Sequence, residues 1–130
     1  MSRENVEIVR QSNDAFESGD ISAAMRAVHP DLVTHRVDPD GRTFHGREGF
    51  LEAVTDWVES FAEWGFTAKQ YLDAGDRVLV RFRQWGRGET SAIAVEGPVW
   101  VLYTLSEGSI THLEIYNDED HALAAAGLSE

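Results

Sequence analysis

The chain is predicted to be an α+β cone, in which a strongly bent mixed or antiparallel sheet wraps three helices and a short helix follows at the C-terminal end. Three observations predict it. Residues 76–117 hold three successive apolar runs: Val78, Leu79, Val80 and Phe82; Val99 to Tyr103; and Ile110, Leu113, Ile115 and Tyr116. Glycine-bearing turns at Gly86–Gly88 and Glu107–Gly108 separate them, the pattern of consecutive antiparallel strands. Upstream, apolar residues recur at helical rather than alternating spacing, so the early chain reads as helices covering one sheet face.

The elements follow in order. A first helix is expected over Arg3–Ser18, with Ser2 as N-cap and Glu4 in the positive first turn. Its stripe is Ile8, Ser12, Ala15 and Phe16, flanked by Val9 and Asn13, which places polar Ser12 and Asn13 on or beside the buried face. Gly19 ends this helix, Asp20 caps a second over Ile21–Val28, and Pro30 stops it. Asp31–Val37 is a short strand with Val33, His35 and Val37 on one face and Leu32, Thr34 and Arg36 on the other; periodicity leaves open which is inward. After a turn at Asp38, Pro39, Asp40 and Gly41, Thr43–His45 leads into a third helix over Arg47–Phe61. Its stripe of Phe50, Val54, Trp57, Val58 and Phe61 is the cleanest amphipathic pattern in the chain. A strand near Phe66–Leu72 and the turn Ala74–Asp76 deliver the chain to the opening sheet, and Asn117 or Asp118 caps a final helix ended by Gly127.

Composition narrows the function classes. The 130 residues are read as one domain, 42% hydrophobic and 26% charged, an ordinary globular balance. A net charge of −12 opposes nucleic-acid binding, which needs a basic face; the arginines at 77, 81, 83 and 87 read as a solvated strand face. There is no cysteine, no apolar run long enough to span a membrane, and no signal-peptide core after Met1, so a cytoplasmic location is expected. His29, His35, His45, His112 and His121 are scattered without metal-ligand spacing, and no phosphate loop or nucleophile elbow is present, so no metal and no cofactor is expected.

Alternation sorts the sheet faces. Val78, Val80, Phe82 and Gln84 are expected inward, because Arg81 and Arg83 make the other face too charged for a core. Leu113 and Ile115 join the inner face with Thr111 and Asn117. The middle strand is apolar on both sides; Trp100 and Leu102 are assigned inward and Val99, Val101 and Tyr103 outward. An outer face of Arg81, Arg83, Trp85, Val99, Val101 and Tyr103 is apolar enough to predict a homodimer surface. Trp57, Phe61, Phe82 and Trp100, with Phe16, Val80, Leu102, Leu113, Ile115 and the polar Ser12, Asn13 and Gln84, are then expected to enclose a cavity for a small hydrophobic ligand, flat or cyclic.

Several segments together carry a family likeness: Asp14–Phe16 followed by Ser18–Ile21, Pro30–Val33, His45–Phe50, Gly75–Val78, Gly108–Ile110, Tyr116–Asp118, and the alanine-rich end at Ala122–Leu128. In this order and spacing the chain resembles the SnoaL-like branch of the nuclear-transport-factor-two-like, ketosteroid-isomerase-like superfamily. The resemblance implies a cofactor-independent cyclase, isomerase or dehydratase acting on a small hydrophobic carbonyl compound, or else a non-catalytic small-molecule-binding or interaction domain, usually dimeric. It also implies which activities are absent. The isomerase tyrosine falls at Ser12, its oxyanion carboxylic acid at Trp100, and its base at Arg36 or Asp38, so steroid isomerisation is not expected. The Asp–Arg–Asp set of epoxide-hydrolase relatives has no counterpart on the inward face of residues 78–84. The remaining candidates for chemistry are His35, whose pKa range suits a base, together with Asp38, Asn117 and Asp118 near the strand ends; the last two are equally suited to capping the final helix.

Overall fold

A computed structural model describes residues 2–38, 40–59, 61–88 and 94–128. The side chains of residues 2, 94 and 95, and so the capping role expected of Ser2, lie outside this description, as does Pro39 of the expected turn. The elements are α1 (Ser2–Glu17), α2 (Ile21–Met25), β1 (Val28–Arg36), β2 (Arg42–His45), α3 (Gly46–Val58), β3 (Glu63–Ala74), β4 (Arg77–Arg87), β5 (Ala94–Ser106), β6 (Ser109–Tyr116) and α4 (Glu119–Ala126). The expected cone is what the chain forms: a six-stranded mixed sheet in the order β2-β1-β6-β5-β4-β3, open at its edges. Among the described residues only β1 and β6 pair in parallel, and every other pair is antiparallel.

Local sequence explains the punctuation. Glu107 and Gly108 both take positive φ, 50° and 80°, as a two-residue hairpin of matching twist requires between β5 and β6. The second helix stops at Met25, earlier than expected, and the chain is already in β1 at Val28. Pro30, which has no N–H to donate, sits where the β1–β6 register shifts between Val28 and Val33. Asp118 caps α4 by accepting the His121 N–H at 2.9 Å, and Gly127 closes it at φ 75°.

Two apolar layers flank the sheet. The inner one joins Val9 of α1 to Val28, Leu32, Val78, Val80, Phe82, Val99, Tyr103, Ile110 and Leu113, with α3 packed on β1 and α1 on β3. The outer one is smaller: Leu79, Trp100, Leu102 and Tyr116 lie under Ala122 and Ala126 of α4.

This second layer corrects the reading of β5. Directly opposed residues in a ladder share a face, and the register pairs Val99 with Phe82, Val101 with Val80 and Tyr103 with Val78. These three therefore point inward, and Trp100 and Leu102, opposite Arg81 and Leu79, point outward beneath α4. β5 is apolar on both faces because both are covered. Alternation cannot rank the faces of such a strand. A similar shift affects β6, where an irregularity between Thr104 and Leu105 turns Ile110 inward in place of Thr111.

Candidate functional site

Between the inner sheet face and the helices α1 and α3 lies a cavity of about 540 Å³, within the range typical of small-molecule sites. Its floor is Phe82, Val99, Val101, Leu113 and Ile115, with Gln84 among them. The α3 wall shows why that helix alternates large and small residues. Gly49 and Ala53 are buried, and an added Cβ at Gly49 would come within 3.0 Å of the Phe44 backbone. Phe50, Ala53, Val54 and Trp57 line the cavity. Trp57 packs against Phe66 with ring centroids 4.7 Å apart, and Trp64 lies 5.8 Å from Phe66, so aromatic surface continues onto β3.

Polar groups gather at two ends. At one, the side chain of Arg36 is 13% exposed and lines the cavity. Its Nε and Nη2 donate to the two carboxylate oxygens of Asp40 at 3.0 and 2.7 Å, and its Nη1 donates to Asp56 at 3.0 Å. Three of the five guanidinium N–H donors are thereby used, and the fork is fixed in orientation. The Arg36 hydrogen bond pulls the Asp40 carboxyl down to about 2. Asp38 also lines the cavity, its carboxylate accepting the Asn117 backbone N–H at 2.9 Å, while the Asp38 N–H donates to the Ile115 carbonyl. Asn117 lines the cavity at the same end.

At the other end are Tyr103 and Asn13, with Glu17, one helical turn beyond Asn13 on α1, also on the cavity lining. Tyr103 donates to Asn13 Oδ1 at 3.0 Å, and Asn13 Nδ2 donates to the Tyr71 hydroxyl at 3.2 Å. Burial pushes the ionisation of Tyr103 and of Tyr71 upward, so both stay neutral phenols. Tyr103 opposes Leu113, and Asn117 is four residues further along the chain, so the two polar ends are roughly 13 Å apart at the rise of a strand.

The structure brings together Asn13, Phe16, Asp38, Trp57, Phe82, Gln84, Leu113, Ile115 and Asn117 of the residues expected at the site. Others fall elsewhere, each for a local reason. His35 pairs with Glu114 on the outer face, because the β1–β6 register puts Thr34 and Arg36 beside inward Leu113 and Ile115. Asp118 is the α4 cap, and Trp100 and Leu102 form the outer layer. Val80 is fully covered within the inner core, and Phe61 stacks on Trp57 over Gly86. Ser12 borders a minor adjoining cavity and donates to the Ala24 carbonyl, tying α1 to α2. Sequence reading missed Arg36, Tyr103, Trp64 and Phe66. For Arg36 the available signal was its parity with Leu32 and Thr34, which became usable only once the inward face of β1 was known. Among the described residues no group of metal-ligating side chains is clustered.

Comparison with known proteins now bears on this geometry. No curated protein matches the chain. Among solved structures, TerC co-crystallised with polyporic acid superposes with a TM-score of 0.74 at 19% identity, over 95% of this chain and 98% of that one. Bal32a, from a soil-derived mobile gene cassette, gives 0.78 at 16% identity over 93% and 94%. A protein described as a SnoaL-like polyketide cyclase, from Jannaschia sp. CCS1, gives 0.75 at 19% over 99% and 95%. At such identities these likenesses establish the fold. The sequence profile of the SnoaL-like domain matches residues 9–113, which run from the core valine of α1 through every strand to Leu113 of the cavity floor. By that match the chain belongs to the SnoaL-like domain family.

Proposed function

We propose that this cavity binds a flat, mostly apolar carbonyl compound and that the chain acts on it as a cyclase, isomerase or dehydratase, with Asp38 as the proton-accepting group. The observation that carries the reading is that Asp38 and Arg36 both line a mainly apolar cavity. A carboxylate oxygen of Asp38 takes a proton from carbon next to the carbonyl, and the C–H electron pair moves into the enolate. The two N–H donors that Arg36 has left face the charge that forms on oxygen, and Asp40 and Asp56 hold them in place. The same proton returns to carbon, or to a departing hydroxyl if water is lost. Structural neighbours described as a polyketide cyclase and as co-crystallised with polyporic acid support a ligand of this kind.

Exchange of the ketone's α-hydrogens for deuterium in D₂O, followed by NMR on a cyclic aryl ketone, tests the reading. The wild type is expected to exchange them, and Asp38→Asn to slow the exchange by about 10²–10⁴-fold with its melting temperature retained. Equal rates in both proteins would remove Asp38 from the mechanism. The second reading, a binding domain without chemistry, draws on one observation: an oxygen of Asp38 is already engaged by the Asn117 N–H. Probe binding without any exchange would favour it.

The homodimer is proposed on a narrower footing than the sequence suggested. With Val99, Val101 and Tyr103 turned inward and α4 over Trp100, the outer strip left for a second copy is Arg81, Arg83 and Trp85 on β4. Sedimentation equilibrium should report a dimer at micromolar concentration, and a monomer would sink that proposal.

A further inference from the structure

The polar pair at the α1 end of the cavity constrains what a ligand can present there. A phenol has a single proton, and Tyr103 commits it to Asn13 Oδ1. Asn13 is itself held: it is 8% exposed, and its Nδ2 donates to Tyr71, whose ring carries the Arg10 guanidinium 4.5 Å above it. The amide presents its acceptor to Tyr103 and its donor to Tyr71. What the Tyr103 oxygen can still offer is lone pairs, and Tyr103 lines the cavity.

We propose that Asn13 is a positioning residue that sets Tyr103 as a hydrogen-bond acceptor, so the cavity selects ligands carrying a phenol or enol hydroxyl at the α1 end, opposite the Arg36–Asp38 end. This rests on the reading of the cavity as a small-molecule site. A ketone or ether oxygen at the same place would meet an acceptor with no proton to give, leaving two buried acceptors face to face. A hydroxyl donates to Tyr103 and satisfies both. The ligand class is thus a fused-ring hydroxy-carbonyl compound, its hydroxyl at Tyr103 and its carbonyl toward Arg36.

Calorimetric titration of wild type, Tyr103→Phe and Asn13→Leu with naphthol, naphthalene and acetylnaphthalene tests this. The wild type should bind naphthol about tenfold more tightly than naphthalene, a single hydrogen bond's worth of discrimination. Tyr103→Phe should erase that preference while leaving naphthalene affinity unchanged. Asn13→Leu frees the Tyr103 proton to turn into the cavity, so acetylnaphthalene should gain on naphthol. If the wild type binds naphthol and naphthalene equally, or the preference survives in Tyr103→Phe, the inference is overturned while the cavity reading stands. If no probe binds, both fall together. Should Asn13→Leu fail to fold, Tyr103→Phe decides alone.

Discussion

Arg36 shows how one residue can serve stability and chemistry at once. It is charged on the inward face of a strand, and Asp40, four residues on, together with Asp56 from α3 meets that charge with three hydrogen bonds. The Asp40 carboxyl falls from 3.8 to about 2, chiefly through its hydrogen bond to Arg36. A carboxyl whose pKa is depressed in the folded chain favours folding fully above its unfolded value, and that contribution fades as pH falls through the folded one. We predict that the melting-temperature advantage of wild type over Asp40→Asn is intact above pH ~4 and disappears on approach to pH ~2. Melts recorded across that window check it; an advantage that grows toward pH 2 would contradict the assignment. Residues 42 and 56 add a longer contact at 3.9 Å between exposed groups, and such surface pairs contribute little.

At the scale of elements, α4 gives the outer sheet face its cover. It is short and alanine-rich, so its own propensity could not hold it in water; it is held by docking. Ala122 and Ala126 rest on Trp100, Leu102, Leu79 and Tyr116, and Arg77 donates to the Ala125 carbonyl at 2.8 Å near the helix end. Burial, followed by the charge of Glu114, raises the Tyr116 phenol to about 12. From the face on which Trp100 lies follows a prediction that separates the two layers. Trp100→Ala should cost about 3–5 kcal/mol in urea denaturation, as loss of a buried tryptophan does. Ligand-induced thermal shifts should survive in the folded fraction of that variant, because the cavity is on the other side of the sheet. Loss of those shifts with stability unchanged would place Trp100 in the cavity after all.

For the whole molecule, a curved sheet and two helices enclose more volume than their side chains fill. Phe50, Val54 and Trp57 on α3 face Val99 and Val101 across that space. Enlarging a residue that borders a cavity avoids the strain that overpacking a filled core brings. Val101→Trp should therefore leave the melting temperature within about 5 °C of wild type, while weakening naphthol binding by about tenfold or more in the same calorimetric titration. Unchanged affinity in that variant would mean that ligands bind elsewhere.

The sequence by itself determined the element order, the helix caps and the cone class, because those depend on local spacing and on residues such as Asp118, Gly127 and the Glu107–Gly108 turn. Its periodicity also pointed Asn13, Phe16, Trp57, Phe82 and Gln84 toward the space between helices and sheet, where they line the cavity. Tertiary structure decided the faces of β1 and β5. Leu32, Thr34 and Arg36 could be called inward only once β1 was paired in parallel with β6. Trp100 and Val101 are equally apolar and one residue apart, so only the β4 register and the docking of α4 separate core cover from cavity floor. A strand covered on both sides carries no alternation to read, and pairing partners far along the chain supply the missing information.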